Sequence, residues 1–247
     1  MDALILAAGL GTRLGSLTAD RPKALVEIAG KTMLEHLLLK LKRQGFGRVA
    51  VNVHHYADMI VDYLNANDNF HMEIVISDES DKLLDTGGGI RKAMHLLGGD
   101  QPLLVHNVDI FSHTDLKALY NMHTNGKADA TLLVSDRTAS RKLHFSNDMR
   151  LRGWSNAISG EFRSPFNDFD SMECIPLAFQ GIHVLSGSVL PLLDSVDEES
   201  FGITGFYVDN AAALNLTAVS NSAESWIDAG KPEALERAAL IAESDIH

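Results

Sequence analysis

Glycines at positions 9, 11 and 15, threonines at 12 and 18 and cations at 13, 21 and 23 crowd into one loop that follows the apolar run Leu4-Ile-Leu-Ala-Ala8. Backbone N–H groups freed by such a loop, beside Arg and Lys side chains, make a concave site for phosphate oxygens. Spacing narrows the choice of phosphate. A dinucleotide fingerprint requires Gly-x-Gly-x-x-Gly at the start of a helix, with an acidic residue about 20 positions on. Gly9 and Gly11 are instead followed by Gly15, one place late. A Walker A loop is missing too, because no Gly-Lys-Ser/Thr follows. A solvated loop with scattered charges is the competing reading, and Arg21-Pro-Lys23 close behind weighs against it.

Asp109 lies just past the C-terminal end of a strand predicted over Leu103 to His106, where open α/β sheets collect their ligands. A carboxylate there can hold Mg²⁺ that bridges phosphates, since this hard ion prefers oxygen ligands; a turn aspartate near Ser112 is the alternative. In Asp85-Thr-Gly-Gly-Gly-Ile90, three glycines at a helix start let the backbone approach a flat ring and leave N–H groups free to read it. A flexible turn before a helix would look the same. His54 and His55, with no Cys or carboxylate at ligand spacing, do not describe a zinc site.

The elements that must hold these residues follow from periodicity and turn chemistry. The first strand is the apolar run itself, and Val26-Glu-Ile28 is a short extended piece. Thr32 caps a helix to about Arg43 with Met33, Leu34, Leu37, Leu38 and Leu41 inward. Strands are expected at Val49 to Val53, Met72 to Ile76, Pro102 to His106 and Ala130 to Val134. Between them fall helices from Tyr56 to Leu64, from about Gly89 to Leu97, and after a Ser112 cap with Leu116, Leu119 and Tyr120. This alternation predicts an α/β fold with a mostly parallel sheet covered on both faces. A hairpin over Lys142 to Phe145 and Met149 to Trp154 changes the rhythm, and residues 155 to 172 read as a long loop, the kind that serves as a lid or binding wall. Leu177 to Leu185 is a strand, Gly187 to Leu193 a helix, Thr204 caps a helix reaching Ala213, and Ala218-Val219 is a short strand. Pro232 opens a last helix through Ile241.

At 247 residues the chain can bury one substantial core. A formal charge of −12 argues against general affinity for nucleic acid. The single cysteine, Cys174, excludes an internal disulfide and fits a reducing compartment. No run approaches the roughly 20 apolar residues of a membrane span, and the N-terminus lacks a signal-peptide pattern, so a cytoplasmic protein is expected, with no membrane partner.

Gly9-Leu-Gly-Thr-Arg13 followed by Arg21-Pro-Lys23 resembles the signature of the sugar-1-phosphate nucleotidyltransferases, the nucleotide-sugar pyrophosphorylases. The resemblance spans nearly the whole chain. It implies a Rossmann-like, GT-A-like nucleotidyltransferase fold in a single domain, with a nucleotide-binding half over 1–135 and a sugar-binding half over 136–247. It also implies a catalytic domain without a β-helix extension, monomeric or homodimeric. The implied reaction joins a sugar 1-phosphate to the α-phosphorus of a nucleoside triphosphate and releases pyrophosphate, with Mg²⁺ as cofactor. Arg13 and Lys23 would then lie on the triphosphate, and Ala8, Gly9, Gly11 and Thr12 would bind the nucleotide. Asn107-Val-Asp109 is similar to the family's central metal motif. Trp226-Ile-Asp-Ala-Gly230 is similar to its C-terminal one, making Asp228 the second metal candidate beside Asp109.

By the same resemblance Asp85, Gly87 and Gly88 fall in the stretch that recognises the nucleobase, in a form similar to the N-acetylmuramate 1-phosphate uridylyltransferase branch. Phe179-Gln-Gly-Ile182 looks like the sugar-side strand, with Gly181 letting a pyranose lie close and Gln180 donating to it. Glu161 occupies the place of a glutamate that binds sugar hydroxyls. The lysine usual beside it is absent, with Phe162 and Arg163 standing there, so Arg163 is a candidate for the sugar phosphate. The favoured pair is UTP with N-acetylmuramate 1-phosphate. GTP with mannose 1-phosphate is the alternative, CTP with phosphocholine a remoter one, and a catalytically silent nucleotide-sugar binder the reading from another class.

Overall fold

The computed structural model of the chain describes residues 1–244. Strand β1 spans Asp2–Leu6 and is buried along nearly its whole length, as an unbroken apolar run must be in a sheet covered on both faces. The loop after it is shaped by 3-10 turns at Thr12–Thr18 and Lys23–Leu25. A small hairpin of β2, Glu27–Ile28, and β3, Lys31–Thr32, leads into helix α1, Met33–Arg43. The Thr32 hydroxyl accepts from the Glu35 N–H at 3.1 Å, so the expected cap is in place.

Next come β4, Arg48–Val53, α2, Ala57–Ala66, and β5, Glu73–Asp78. Helix α3, Asp85–Leu96, precedes β6, Leu103–Asn107, and the short β7, Ile110–Ser112. Helix α4, Leu116–Asn125, is followed by β8, Ala130–Ser135, and by β9, Arg141–Phe145, β10, Leu151–Asn156, and β11, Glu161–Arg163. The long strand β12, Ile175–Leu185, returns through the sheet. Then follow α5, Leu190–Asp194, α6, Ile203–Asp209, β13, Leu216–Ser220, β14, Trp226–Asp228, and α7, Leu235–Ser244.

One mixed sheet runs in the order β11-β10-β9-β12-β6-β1-β4-β5, with β8 on β12 and β13 on β8. Its β6, β1, β4 and β5 are mutually parallel, and β12 is antiparallel to β6, β8 and β9. Alternation along β1 sends Ala3 and Ile5 into a core shared with α1, α2, α4 and α7, and Leu4 into a second core with α3, α5 and α6. This is the expected α/β, Rossmann-like architecture with helices on both faces. Among the described residues no helix is long and apolar enough to cross a membrane.

Four local expectations are corrected. Ser112 is not a cap: it belongs to β7, and Asp115 caps α4 by accepting from the Ala118 N–H at 2.8 Å. Thr204 lies inside α6, which ends at Asp209 rather than Ala213; the Ile203 N–H is satisfied from elsewhere, by the Thr86 hydroxyl at 2.9 Å. The stretch 155–172 is not one loop, because β11 pairs back on β10. Helix α3 begins at Asp85, four residues before the expected start at Gly89, and carries the three glycines inside it.

Candidate active site

The C-terminal ends of β1, β4 and β6 define one edge of the parallel strands, and the charged loop leaves from there. Its first turn is fixed from β4: the buried Asn52 carboxamide oxygen accepts from the Ala7 and Ala8 N–H groups at 2.6 and 3.0 Å. The Asn52 amide in turn donates to Glu79 at 2.9 Å, and the second Glu79 oxygen accepts from the Leu84 N–H at 3.1 Å. Both side chains are buried. This network ties the glycine loop to the segment that enters α3, and the sequence reading missed both residues. The signal was Asn52 itself, a polar residue inside the apolar strand Val49-Ala-Val-Asn-Val53. His54 is structural, its Nδ1 hydrogen-bonded to the Glu79 carbonyl oxygen at 2.7 Å.

Gly11, at φ 67°, folds the loop onto Lys23, and the Thr18 hydroxyl donates to the Gly11 carbonyl at 3.1 Å. Lys23 reaches the Asp109 carboxylate in an ion pair that is mostly buried. Arg13 forks onto Asp228, with Nη1 at 3.2 Å from Oδ2 and Nη2 at 3.5 Å from Oδ1, and its Nη2 lies 3.8 Å from Asp109 Oδ2. The two aspartates meet because β14 pairs antiparallel with β7, placing Asp228 opposite Ile110, and because the Ala229 N–H donates to the Asp109 carbonyl at 2.8 Å. Arg13, Lys23, Asp109 and Asp228 therefore form one cluster, with Gly230 at its centre. A Cβ on Gly230 would lie 2.5 Å from Arg13 Nη2 and 2.8 Å from an oxygen of each aspartate. That crowding had no counterpart in the sequence reading.

Burial pushes the Asp109 carboxyl above its ordinary range, against the pull of Lys23 and with the push of Asp228. Burial also works against charge on Asp228, yet hydrogen bonds with Asp109, the Gly230 N–H and Arg13 hold it below the usual range. Two carboxylate oxygens converging on one point are a hard donor pair of the kind Mg²⁺ takes when phosphates complete its shell. Among the described residues no group of three His, Cys, Asp or Glu forms a metal cage. A divalent ion here would depend on substrate oxygens.

The remaining expected positions separate. Asn107, at the end of β6, packs under Gly181: with φ 73°, Gly181 brings its Cα where a Cβ would lie 2.8 Å from Asn107 Nδ2. Gln180, expected to donate to a sugar, is wholly buried, and its side-chain oxygen accepts from Asn221 Nδ2 at 3.3 Å. A register shift in β12 between Phe179 and His183 breaks the simple alternation from which an outward Gln180 would follow. Gly87 and Gly88 meet the chain's own 199–201 segment: the Gly87 N–H donates to the Phe201 carbonyl at 2.8 Å, and a Cβ on Gly88 would lie 2.2 Å from the Glu199 carbonyl oxygen. Asp85 sits at the start of α3 with φ 56°, its carboxylate accepting from the Thr86 N–H.

A cavity of about 760 Å³ opens between the β9–β10–β11 excursion and α6. Arg137, Lys142, Trp154, Arg163, Phe179 and Lys231 lie in its walls. Glu161 is exposed on β11 and does not line it. Arg163 does, but its guanidinium is paired with Asp209 at 2.8 and 3.1 Å.

Residues 2–144 match the model of the nucleotidyl transferase family. The chain is similar to an N-acetylmuramate alpha-1-phosphate uridylyltransferase of Caulobacter vibrioides, 37% identical over 188 residues that make up 74% of this chain and 74% of that protein. A protein of the same description from Neisseria meningitidis serogroup B is 39% identical over 120 residues, 49% of this chain and 52% of its own length. Among solved structures, HddC from Yersinia pseudotuberculosis, complexed with GMP-PN, is similar at a TM-score of 0.74 and 24% identity, covering 97% of this chain and 98% of that one; this likeness concerns the fold.

Proposed function

This chain belongs to the nucleotidyl transferase family, and we propose that within it the protein transfers a uridylyl group from UTP to N-acetylmuramate 1-phosphate, with Mg²⁺ as cofactor. The observation that carries the reading is the convergence of Arg13, Lys23, Asp109 and Asp228 on one point at the ligand-collecting edge of the sheet. The identity to the Caulobacter uridylyltransferase supports the choice of base and sugar.

In this reading an oxygen of the acceptor phosphate attacks the α-phosphorus. A new P–O bond forms while the α–β bridge breaks, and pyrophosphate leaves with the displaced charge. The acceptor is already an anion, so no side chain has to remove a proton. Asp109 and Asp228 would hold Mg²⁺, which would supply positive charge to orient and neutralise the triphosphate. Lys23 and Arg13 act on the phosphate oxygens where charge accumulates, Arg13 as a fork and Lys23 as a point charge. The Asn52–Glu79 network holds the loop that carries both cations at a fixed height above the strands.

The test crosses the four ribonucleoside triphosphates and dTTP against 1-phosphates of N-acetylmuramate, N-acetylglucosamine, glucose and mannose, with Mg²⁺ present. Pyrophosphate release is followed and the product identified by mass. Release with UTP and N-acetylmuramate 1-phosphate is expected. Preference for GTP with mannose 1-phosphate would replace the substrates and keep the reaction. Nucleotide binding with no release from any pair would leave a nucleotide-sugar binder.

A further inference from the structure

The large cavity has an uneven charge. Among the described residues its walls carry Arg137, Arg141, Lys142, Arg163 and Lys231 and no carboxylate, in a chain whose formal charge is −12. Arg163, the cation expected from the sequence to face the sugar phosphate, is ion-paired with Asp209 at the exposed rim. Arg137 and Lys142 differ from it. Neither has an acidic side chain in salt-bridge contact among the described residues, and both are partly buried.

Arg137 is also held rigidly. Its guanidinium stacks on the Trp226 ring at 4.4 Å and donates through Nη2 to the Phe179 carbonyl at 3.0 Å, while its buried Nε finds no partner. Trp226 is fixed in turn, because its indole N–H donates to the Gln180 carbonyl at 2.8 Å. The same β14 that presents Trp226 to Arg137 carries Asp228 two residues on, and the charge of Asp228 acts on the Arg137 guanidinium, so the cation lines the cavity within electrostatic reach of the aspartate cluster. Lys142 is tethered to Arg137 by donating to its carbonyl oxygen at 2.6 Å. Burial lowers the affinity of Lys142 for its proton and the charge of Arg137 lowers it further. Asp136 acts on Lys142 and Asp228 on Arg137 only from beyond salt-bridge contact, and two neighbouring cations without a directly paired carboxylate gain from a ligand with two negative charges.

We propose that Arg137 and Lys142 form the subsite for the phosphate of the acceptor sugar, with Arg137, seated on Trp226, setting that phosphate beside the aspartate cluster. The inference rests on the proposed reaction for the identity of its ligand. Its chemistry, a phosphate monoester dianion in the cationic cavity, does not depend on which sugar is attached.

The test is calorimetric binding to the whole chain, apart from turnover. The probes are N-acetylmuramate 1-phosphate, the same sugar without phosphate, inorganic pyrophosphate and UTP; the proteins are wild type, R137Q, R137K, K142Q and R163Q. R137Q is expected to bind the sugar phosphate about 10- to 100-fold more weakly, the loss of a charge-assisted pair, with K142Q losing less and R163Q changing little. R137K should recover only part of the loss, because lysine cannot reproduce the stacked fork. UTP affinity within about twofold of wild type serves as the control that the fold is kept. Equal affinity of R137Q and wild type for the sugar phosphate would overturn the inference. So would a loss confined to pyrophosphate and UTP, which would assign Arg137 to the nucleotide side. A wild type that binds the sugar with and without phosphate equally would overturn it as well. If Arg137 governs phosphate binding and no nucleotide-sugar forms, the reaction falls and the subsite stands; turnover with an unaltered KM for the sugar phosphate in R137Q gives the converse.

Discussion

Replacing Gly230 by alanine adds one methyl group at the point where the cluster converges. Gly230 does not occupy the left-handed region, so alanine takes its backbone conformation without strain. The cost falls on its neighbours. The new Cβ would start 2.5 Å from Arg13 Nη2 and 2.8 Å from Asp109 Oδ2 and Asp228 Oδ1. Restoring a contact of about 3.5 Å requires the guanidinium to withdraw by about 1 Å and each carboxylate by about 0.7 Å. A displacement of that size at a reacting centre costs roughly 10²-fold in rate, or about 2.7 kcal/mol of transition-state stabilisation. Stability should fall as well, by about 1–3 kcal/mol, because the buried Asp109 carboxylate paired with Lys23 must move along with the half-exposed Arg13. Initial rates of pyrophosphate release, read with a thermal melt of the same sample, separate the two effects. Turnover within about threefold of wild type, with the melt unchanged, would refute the placement of the reaction at this cluster.

Asp109→Asn should abolish pyrophosphate release, by about 10³-fold or more, while unfolding stays cooperative; appreciable turnover would remove Asp109 from the reaction. Burial pushes both His106 and His183 down to about 3, against about 6.5 in an unfolded chain. Their contribution is therefore fully present above pH 6.5 and is lost as the pH falls toward 3, with about 2 kcal/mol lost for each by pH 5. His183→Gln should flatten the rise of unfolding free energy with pH by up to about 1.4 kcal/mol per pH unit below 6.5, and an unchanged slope in urea titrations would count against a neutral buried imidazole. Asn52→Ala leaves the Ala7 and Ala8 N–H groups and one Glu79 oxygen without their partner, so a loss of about 2–4 kcal/mol in urea unfolding is expected together with a raised KM for the nucleotide. A loss below about 1 kcal/mol would mean that the loop does not need the brace.

What the sequence disclosed was local in origin. The Thr32 cap, the apolar stripe of α1, the buried β1 and the cationic loop with Lys23 behind Gly11 each depend on residues within a turn or two of one another. The α/β alternation followed from the same short-range periodicities. The failures share a different cause. Ser112 belongs to β7 rather than to a cap because a three-residue pairing with β14 joins segments far apart in the chain, and strands so short carry no alternation to detect. The resemblance gives Gln180 a sugar to donate to, whereas its side chain is buried against Asn221 beside a register shift in β12 that composition does not reveal. Thr204 lost its capping role to Thr86, a hydroxyl from a remote helix start. Asn52, Gly230 and Arg137 each meet partners from remote parts of the chain, which local sequence patterns do not disclose.

The electrostatics of the cluster decide which substitutions can distinguish chemistry from folding. Asp109 is nearly buried, and an uncompensated carboxylate there would be costly; Lys23, itself 12% exposed, supplies the compensation. Removing Lys23 leaves two neighbouring carboxylates with the half-exposed Arg13 as their ion-pair partner, which favours a proton on the pair. A rate defect in a Lys23 variant would thus mix lost phosphate contact with a disturbed cluster. Arg13 has the opposite character: its side chain is 51% exposed, so its removal returns one face of Asp228 to water at little cost. Arg13→Ala therefore isolates the contribution of a cation to the reaction more cleanly than Lys23→Ala.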